Sequence, residues 1–375
     1  MSIFMSSGEA SGDHYAAQLT KTLRASGYSG DIWGMGGIES RTAGLRAEWH
    51  GERLQLLGFT EVLSAIPSIF ALRNDMVERI MDAAPNVVIV VDSPDYHMRL
   101  ISKLRSRGYK GKVFYISPPA VWAWRSSRAE DLKERVDECL PLFQFEHDYL
   151  KSRGCRSFWT GYPMLEEFTP EASALQLPPK RLTEDERLVA FLPGSRASEV
   201  KSLLSIMEGA ADKLKERGWH PVFSIAPGLN PKVRDMLLEK FKSDGTDYYE
   251  GPGRDLMASA RCAVGASGTI TVESLLLSCY MIVTYKVNPI SAMLARMIIS
   301  TEHFAMANIL AGSEMFPEFL QHRATDENIL NGALKSLDGG QDFTPSGTPK
   351  MENGRKTLGV PGVYKNWTDR ILEAV

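Results

Sequence analysis

Val87-Val88-Ile89-Val90-Val91 runs straight into Asp92-Ser93-Pro94-Asp95. Such an apolar run reads as a buried parallel strand. A carboxylate at its end then stands at the carboxyl edge of a sheet, where α/β folds take their ligands. Two carboxylates on one proline turn could share base catalysis, one accepting a proton and the other orienting it. Asp92 is the better base. Asp95 is better placed to cap the following helix, the ordinary use of Asp at such a turn. No third ligand stands at metal-binding spacing, so neither a metal nor a cofactor is expected.

Three glycine loops follow apolar runs. Gly8-Glu9-Ala10-Ser11-Gly12-Asp13 comes after Ser2–Ser6. Pro193-Gly194-Ser195-Arg196 comes after Leu188–Leu192, with Glu199 just inside the next helical pattern. Gly265-Ala266-Ser267-Gly268-Thr269 comes after Cys262–Val264, with Glu273 one turn further on. Glycines let backbone N–H groups approach an anion, and a helix start adds partial positive charge. None is followed by Gly-Lys-Ser/Thr, so none is a P-loop. Any single one could be only a tight strand-to-helix turn. Three together point to phosphate binding. Gly8, Glu9, Ser11 and Gly12 are candidate site-lining residues, and Ser195, Arg196, Ser267, Gly268 and Thr269 candidate donor-binding ones. Arg196 suits a diphosphate, against the plainer reading of a solvated surface arginine. Glu273 would lie about 6 Å along its helix at 1.5 Å per residue, within reach of ribose hydroxyls. The alternative is a first-turn Glu favoured by the helix dipole.

Tyr115-Ile116-Ser117-Pro118-Pro119-Ala120-Val121-Trp122-Ala123-Trp124-Arg125 sets two tryptophans and two prolines after a strand. This reads as a rigid wall for a sugar or acyl chain, with Arg125 placed for a phosphate, or as a core-filling tryptophan pair. Leu54–Leu72 and Met293–Ile299 are similarly apolar and read as core or as a membrane-contacting face. The seven histidines form no cluster. His14 and His97 follow candidate loops but fit surface or cap roles better.

The elements that must position these residues alternate between strand and helix. Strands are expected at Ser2–Ser6, Asp31–Met35, Asn86–Val91, Lys112–Ile116, Leu188–Leu192, Pro221–Ile225, Cys262–Val264 and Met281–Thr284. Helices are expected from about Gly12 to Ala25 and at Ser198–Arg217, and a long amphipathic segment from Thr60 should restart at Pro67. This alternation implies α/β architecture: two doubly wound, Rossmann-like domains facing a cleft. Residues 1–165 form the first domain, and 166–187, with Pro170, Pro178 and Pro179, the linker. Residues 188–362 form the second, and 363–375 a last helix free to pack back on the first.

A chain of 375 residues is long enough for two such domains. The net charge of −3 provides no bulk attraction to nucleic acid. Cys139, Cys155, Cys262 and Cys279 form no CxxC pair and read as reduced thiols in a cytoplasmic protein. The first residues read as a strand with no basic leader, and no apolar run is long enough to span a bilayer.

Taken in order, the motifs resemble the lipid A disaccharide synthase family. They are Gly8 to Asp13, Leu57-Gly58-Phe59-Thr60-Glu61-Val62-Leu63, Asp92 to Asp95, Ser117 to Arg125, and Leu192 to Arg196. The series continues with Ala266 to Thr269 and Glu273, Asn308-Ile309-Leu310-Ala311-Gly312, and Pro317-Glu318-Phe319-Leu320-Gln321. The resemblance covers nearly the whole chain and implies a GT-B fold with family-19 chemistry. It implies an inverting transfer from UDP-2,3-diacylglucosamine to 2,3-diacylglucosamine 1-phosphate, giving a β(1→6) disaccharide and UDP. It adds Asn308 to the donor set and implies a peripheral enzyme of the inner membrane's cytoplasmic side; a homodimer stays open. His97, Tyr162, Ala307, Phe59 and a longer Pro118-Pro119-Ala120 stretch depart from the family pattern. Two rival readings share the architecture. A UDP-N-acetylglucosamine 2-epimerase would need no acyl-binding surface, and a non-catalytic nucleotide-sugar binder would need no strand-end Asp92.

Overall fold

The alternating runs fold into two parallel sheets. The structure, a computed structural model, describes residues 1–51, 62–123, 125–168, 182, 185–287, 302–338 and 348–375. The chain divides into two units, Met1–Glu166 with Leu358–Val375, and Glu167–Thr357.

The first unit carries β1 (Ser2–Ser7), α1 (Ala10–Ala25), β2 (Asp31–Gly36), α2 (Ile38–Thr42), β3 (Arg46–His50) and α3 (Val62–Ala83). These are followed by β4 (Val87–Val91), α4 (Pro94–Ser106), β5 (Lys112–Ile116), α5 (Arg128–Arg135), β6 (Glu138–Leu140) and α6 (Gln144–Ser152). Its strands lie in the order β3-β2-β1-β4-β5-β6, every pair parallel. Phe4, Trp33, Val88 and Val90 of the sheet pack with Met76, Val77 and Ile80 of α3 and Leu100, Ile101 and Leu104 of α4. These helix positions recur at three- and four-residue spacing, which puts them on one face. Contrary to the expected restart, α3 runs unbroken through Pro67. The residue stands near the start of a long helix, so its missing N–H removes one hydrogen bond that the later turns outweigh.

The second unit carries β7 (Leu188–Leu192), α7 (Ala197–Lys215), β8 (His220–Ile225), α8 (Pro231–Asp244), β9 (Tyr248–Glu250), α9 (Gly253–Met257) and β10 (Cys262–Ala266). Next come α10 (Ile270–Leu276), β11 (Tyr280–Tyr285), α11 (Met306–Ala311), β12 (Glu318–Leu320), α12 (Asp326–Leu337) and α13 (Pro349–Lys356). Its strand order is β12-β11-β10-β7-β8-β9, again all parallel. Counted within each unit, both sheets have the same doubly wound order. Each reverses its winding between its first and fourth strands, at β1/β4 and at β7/β10. Such a switch point opens a crevice at the carboxyl ends of the strands.

The chain re-enters the first unit at Leu358, where the sequence reading sets a boundary at 362. Gly161 and Gly359 form an antiparallel bridge, and Tyr162 N donates to Leu358 O at 2.7 Å. The last helix, α14 (Val363–Leu372), packs on α1. Its start is held by the Glu166 carboxylate, which accepts from the amides of Gly362 and Tyr364 at 3.1 and 3.3 Å. All four cysteines are buried and free. Among the described residues, no helix is long and apolar enough to cross a membrane.

Candidate active site

Parallel pairing aligns the ends of β1, β4 and β5, with Ser7 opposite Val91 and Val91 opposite Ile116. Asp92 is the next residue, and its N–H donates to Ile116 O at 3.0 Å. The chain then turns sharply through two left-handed residues, Asp92 at φ 56° and Ser93 at φ 47°. The half-buried Asp92 carboxylate accepts from Ser93 N at 2.9 Å through Oδ1 and from the Ser11 hydroxyl at 3.3 Å through Oδ2. Gly12 lets the two loops meet: a Cβ there would lie 3.3 Å from Val91 O and 3.4 Å from Asp92 Cβ. Ser11, Gly12 and Asp92 are therefore brought together at the first unit's switch point. Glu9 is the N-cap residue of α1, and Gly8 precedes it in the same loop.

His97 lies beneath this turn, fully buried, and not at the surface. Its Nδ1 is 2.7 Å from Asp92 O and its Nε2 is 2.8 Å from Ser6 Oγ. Burial pushes its pKa down to about 4, against the opposing pull of the Asp92 carbonyl. The Tyr115 hydroxyl donates to the same carbonyl at 3.1 Å. His14 instead pairs with Glu39 at 2.7 Å.

Asp95 does not act as the expected cap. Ser93 is the N-cap residue of α4, and the Asp95 carboxylate is bonded to Arg128 and, at 3.1 Å, to Arg125. Burial raises the Asp95 pKa, but the two guanidiniums outweigh it and hold the group below its usual value. Arg125 is thus drawn to Asp95, and the structure pairs Asp95 with arginines and not with Asp92. Trp122 is half-buried. Its Nε1 donates to Glu146 at 3.0 Å, and its ring stands edge-on to Phe145 at 4.8 Å. Phe143 stacks on Phe145 and Tyr162, at 5.9 and 5.2 Å, to complete an aromatic row. Burial pushes the Glu146 carboxyl up to about 7, despite donors from Trp122, Phe143 and Leu142. Leu57–Thr60, Trp124 and Met293–Ile299 lie outside the described residues.

In the second unit the two loops at the switch point differ. The Glu199 carboxylate folds back onto the first, accepting from Ser195 N at 3.2 Å and Arg196 N at 3.3 Å. Those amides are thus engaged by the chain's own carboxylate. The Arg196 guanidinium contacts Glu199 at 3.3 Å and is 66% exposed. Gly194 is required here, with φ 112° and a would-be Cβ only 2.3 Å from a Glu199 carboxylate oxygen. The second loop is open. Gly268 and Thr269 are exposed, Ser267 is half-buried, and a Cβ on Gly268 would meet nothing within 4 Å. Thr271 secures its far side, donating through its hydroxyl to Gly268 O at 2.9 Å. Glu273 is half-buried in α10. Burial lowers the pKa of Arg254, but its hydrogen bond with Glu167 at 2.8 Å, and to a smaller extent the charge of Glu273, hold it above its usual value.

Asn308 lies in the interior of the second unit. It is fully buried, and its amide bonds Phe316 O and Glu318 at 2.8 Å and the amides of Met315 and Phe316 at 2.9 and 2.8 Å. Glu318 also accepts from the amides of Phe304 and Ala305 at the start of α11. Asn308 therefore braces a loop. Glu146 and Arg254 are contributors that sequence reasoning passed over, and Glu199 and Glu318 were noted there without these roles. For Glu199 a signal exists in the three-residue spacing from Arg196, the interval at which a first-turn Glu reaches back to the cap.

The chain matches the sequence model of a lipid-A-disaccharide synthetase family over residues 3–353. It is 31% identical over 347 residues to the lipid-A-disaccharide synthase of Azotobacter vinelandii, covering 90% of each chain. Among solved structures, it resembles an S. aureus MnaA protein determined with UDP, at TM-score 0.66 and 14% identity, covering 100% of this chain and 97% of that one. It also resembles the glycosyltransferase of kitacinnamycin, at TM-score 0.64 and 14% identity, covering 100% and 99%. At such identity the two structures speak for the fold.

Proposed function

The chain belongs to the lipid-A-disaccharide synthase family and is a glycosyltransferase of lipid A synthesis, and on that premise we propose which residues carry the transfer. The donor is UDP-2,3-diacylglucosamine and the acceptor is 2,3-diacylglucosamine 1-phosphate. Asp92 takes the proton of the acceptor 6-hydroxyl while that oxygen attacks the anomeric carbon. The bond from the anomeric carbon to the diphosphate oxygen breaks, and UDP leaves with the electron pair. Attack opposite the leaving group inverts the centre and yields the β(1→6) disaccharide. The Arg196 guanidinium and the open Ser267–Thr269 loop stabilise the departing diphosphate. Glu273 accepts from the ribose hydroxyls, and Arg254 balances its charge.

The observation that carries this reading is the Asp92 carboxylate at the β1/β4 switch point, oriented by Ser11 and the Ser93 amide. Gly8, Glu9, Gly12, Trp122 and Arg125 line the acceptor side of this proposal, with Asp95 holding Arg125. Both substrates are acylated, so the protein works at a membrane surface without spanning it, on the cytoplasmic face of the inner membrane.

Purified protein incubated with both substrates tests the proposal by mass spectrometry. The expected products are UDP and a tetraacylated disaccharide 1-phosphate. Epimerised UDP-sugar in place of the disaccharide would establish the epimerase reading instead.

A further inference from the structure

We infer that His97 is a positioning residue for the Asp92 carboxylate and acts through the backbone carbonyl of Asp92. The inference rests on Asp92 as the base. Asp92 and Ser93 are consecutive non-glycine residues in the left-handed region, a conformation that persists only where the surroundings over-determine it. Two hydrogen bonds to the Asp92 carbonyl over-determine it here. The Asp92 carbonyl receives two donors, His97 Nδ1 at 2.7 Å and the Tyr115 hydroxyl at 3.1 Å.

A carbonyl only accepts, so His97 Nδ1 carries the proton. Nε2 of the neutral ring is then bare and accepts from the Ser6 hydroxyl at 2.8 Å. Both ring nitrogens are therefore committed. One reaches the turn, and the other reaches β1, the strand that leads to the Ser11 loop. His97 also closes the first turn of α4, its N–H donating to Ser93 O at 3.0 Å. The ring thus locks the Asp92–Ser93 peptide plane. A flip of that plane would turn the Ser93 amide away from the Asp92 carboxylate.

Two near-isosteric substitutions separate the ring's two contacts. In His97→Asn the amide nitrogen occupies the place of Nδ1 and keeps the donor to Asp92. In His97→Gln the amide reaches the place of Nε2 and keeps only Ser6. We expect His97→Asn to retain kcat within about threefold, and His97→Gln and His97→Ala to lose on the order of 10²-fold, the cost of a small misplacement of a reacting group. KM for the UDP-sugar should be unchanged in all three. In an Asp92→Asn background, His97→Gln should cost nothing further. Equal kcat for the Asn and Gln variants would overturn the inference, as would the same fractional loss in the Asp92→Asn background. If Asp92→Asn alone keeps normal turnover, the base reading fails first and His97 has no carboxylate to position. If His97→Ala does not fold, the Asn and Gln pair carries the comparison.

Discussion

Ser11 donates its hydroxyl to the Asp92 carboxylate at 3.3 Å, joining the loops that leave β1 and β4 on either side of the first sheet's switch point. The contact orients the Asp92 carboxylate, whereas Asp95 is turned to Arg125 and Arg128. Asp92→Asn should lower turnover by about 10²–10⁴-fold, the usual reach of general-base assistance, with UDP affinity close to normal. Asp95→Asn should leave turnover nearly intact. It removes a largely exposed ion pair with Arg125 and Arg128, so unfolding should shift by only about 0–1 kcal/mol. Steady-state kinetics and a denaturant titration of both variants check the assignment; the reverse pattern exchanges the roles.

Glu273→Ala should weaken UDP by roughly 1.5–3 kcal/mol, the value of a hydrogen bond to a charged acceptor. Calorimetry with UDP reads it directly. An unchanged affinity in a folded variant removes the ribose assignment.

Gly194 and Glu199 should be energetically coupled. Glu199→Ala loses the cap on Ser195 and Arg196 and should cost about 0.5–2 kcal/mol. Gly194→Ala forces a methyl against the Glu199 carboxylate at φ 112° and should cost more. Removing the carboxylate first relieves the clash, so the double variant should be less damaged than the sum of the singles. Simple additivity in urea unfolding would show that the contact does not govern Gly194.

Glu146 should make part of the stability pH-dependent. Burial raises its carboxyl from 4.5 to about 7, so the folded chain holds this proton more tightly than the unfolded one. The resulting stabilisation is complete below about pH 4.5 and is lost as pH rises through 7. Trp122 donates to the same carboxyl, so its fluorescence, taken as the difference from Trp122→Phe, should titrate near pH 7. A Glu146→Gln variant should flatten the curve. A flat curve in the parent protein would contradict the raised value.

Phe70 and Ile69 should answer differently to the same substitution. Phe70 is 41% exposed, with the Arg73 guanidinium 4.5 Å from its ring centroid, whereas Ile69 packs on the first unit's core. Phe70→Ser should reduce sedimentation with anionic vesicles and leave the melting curve alone. Ile69→Ser should cost roughly 1–3 kcal/mol of stability. Unchanged sedimentation of Phe70→Ser would remove this face from the membrane proposal.

The buried strands were legible because both faces of a parallel sheet are covered. Lys112–Ile116 and Leu188–Leu192 read as continuous apolar runs and fold with those bounds. The edge strands were not. Arg46–His50 is charged at Arg46 and Glu48, and Glu138–Leu140 and Tyr248–Glu250 are too short to show a period. In the site, Asp92 could be read from its place after a strand, because strand ends go to one edge. Asp95 could not: its partner Arg128 is 33 residues away and comes near only when α4 and α5 fold against the sheet. The resemblance alone assigns Asn308 to the donor set, and its spacing gives no sign of the bonds its side chain makes with Met315, Phe316 and Glu318, contacts that only a closed loop makes. Nothing in the spacing of Trp122 and Glu146 announces their bond.

The first unit is completed by residues 358–375, which the ribosome delivers only after the whole of Glu167–Thr357. Until then α1 lacks α14, and the Glu166 carboxylate has no helix start to hold. The second unit, by contrast, is one unbroken stretch of chain. During synthesis it has all its strands in hand while the unit begun earlier still waits for its closing helix. A nascent chain halted at Thr357 should therefore expose the α14 face of α1 while giving protease protection to the second sheet.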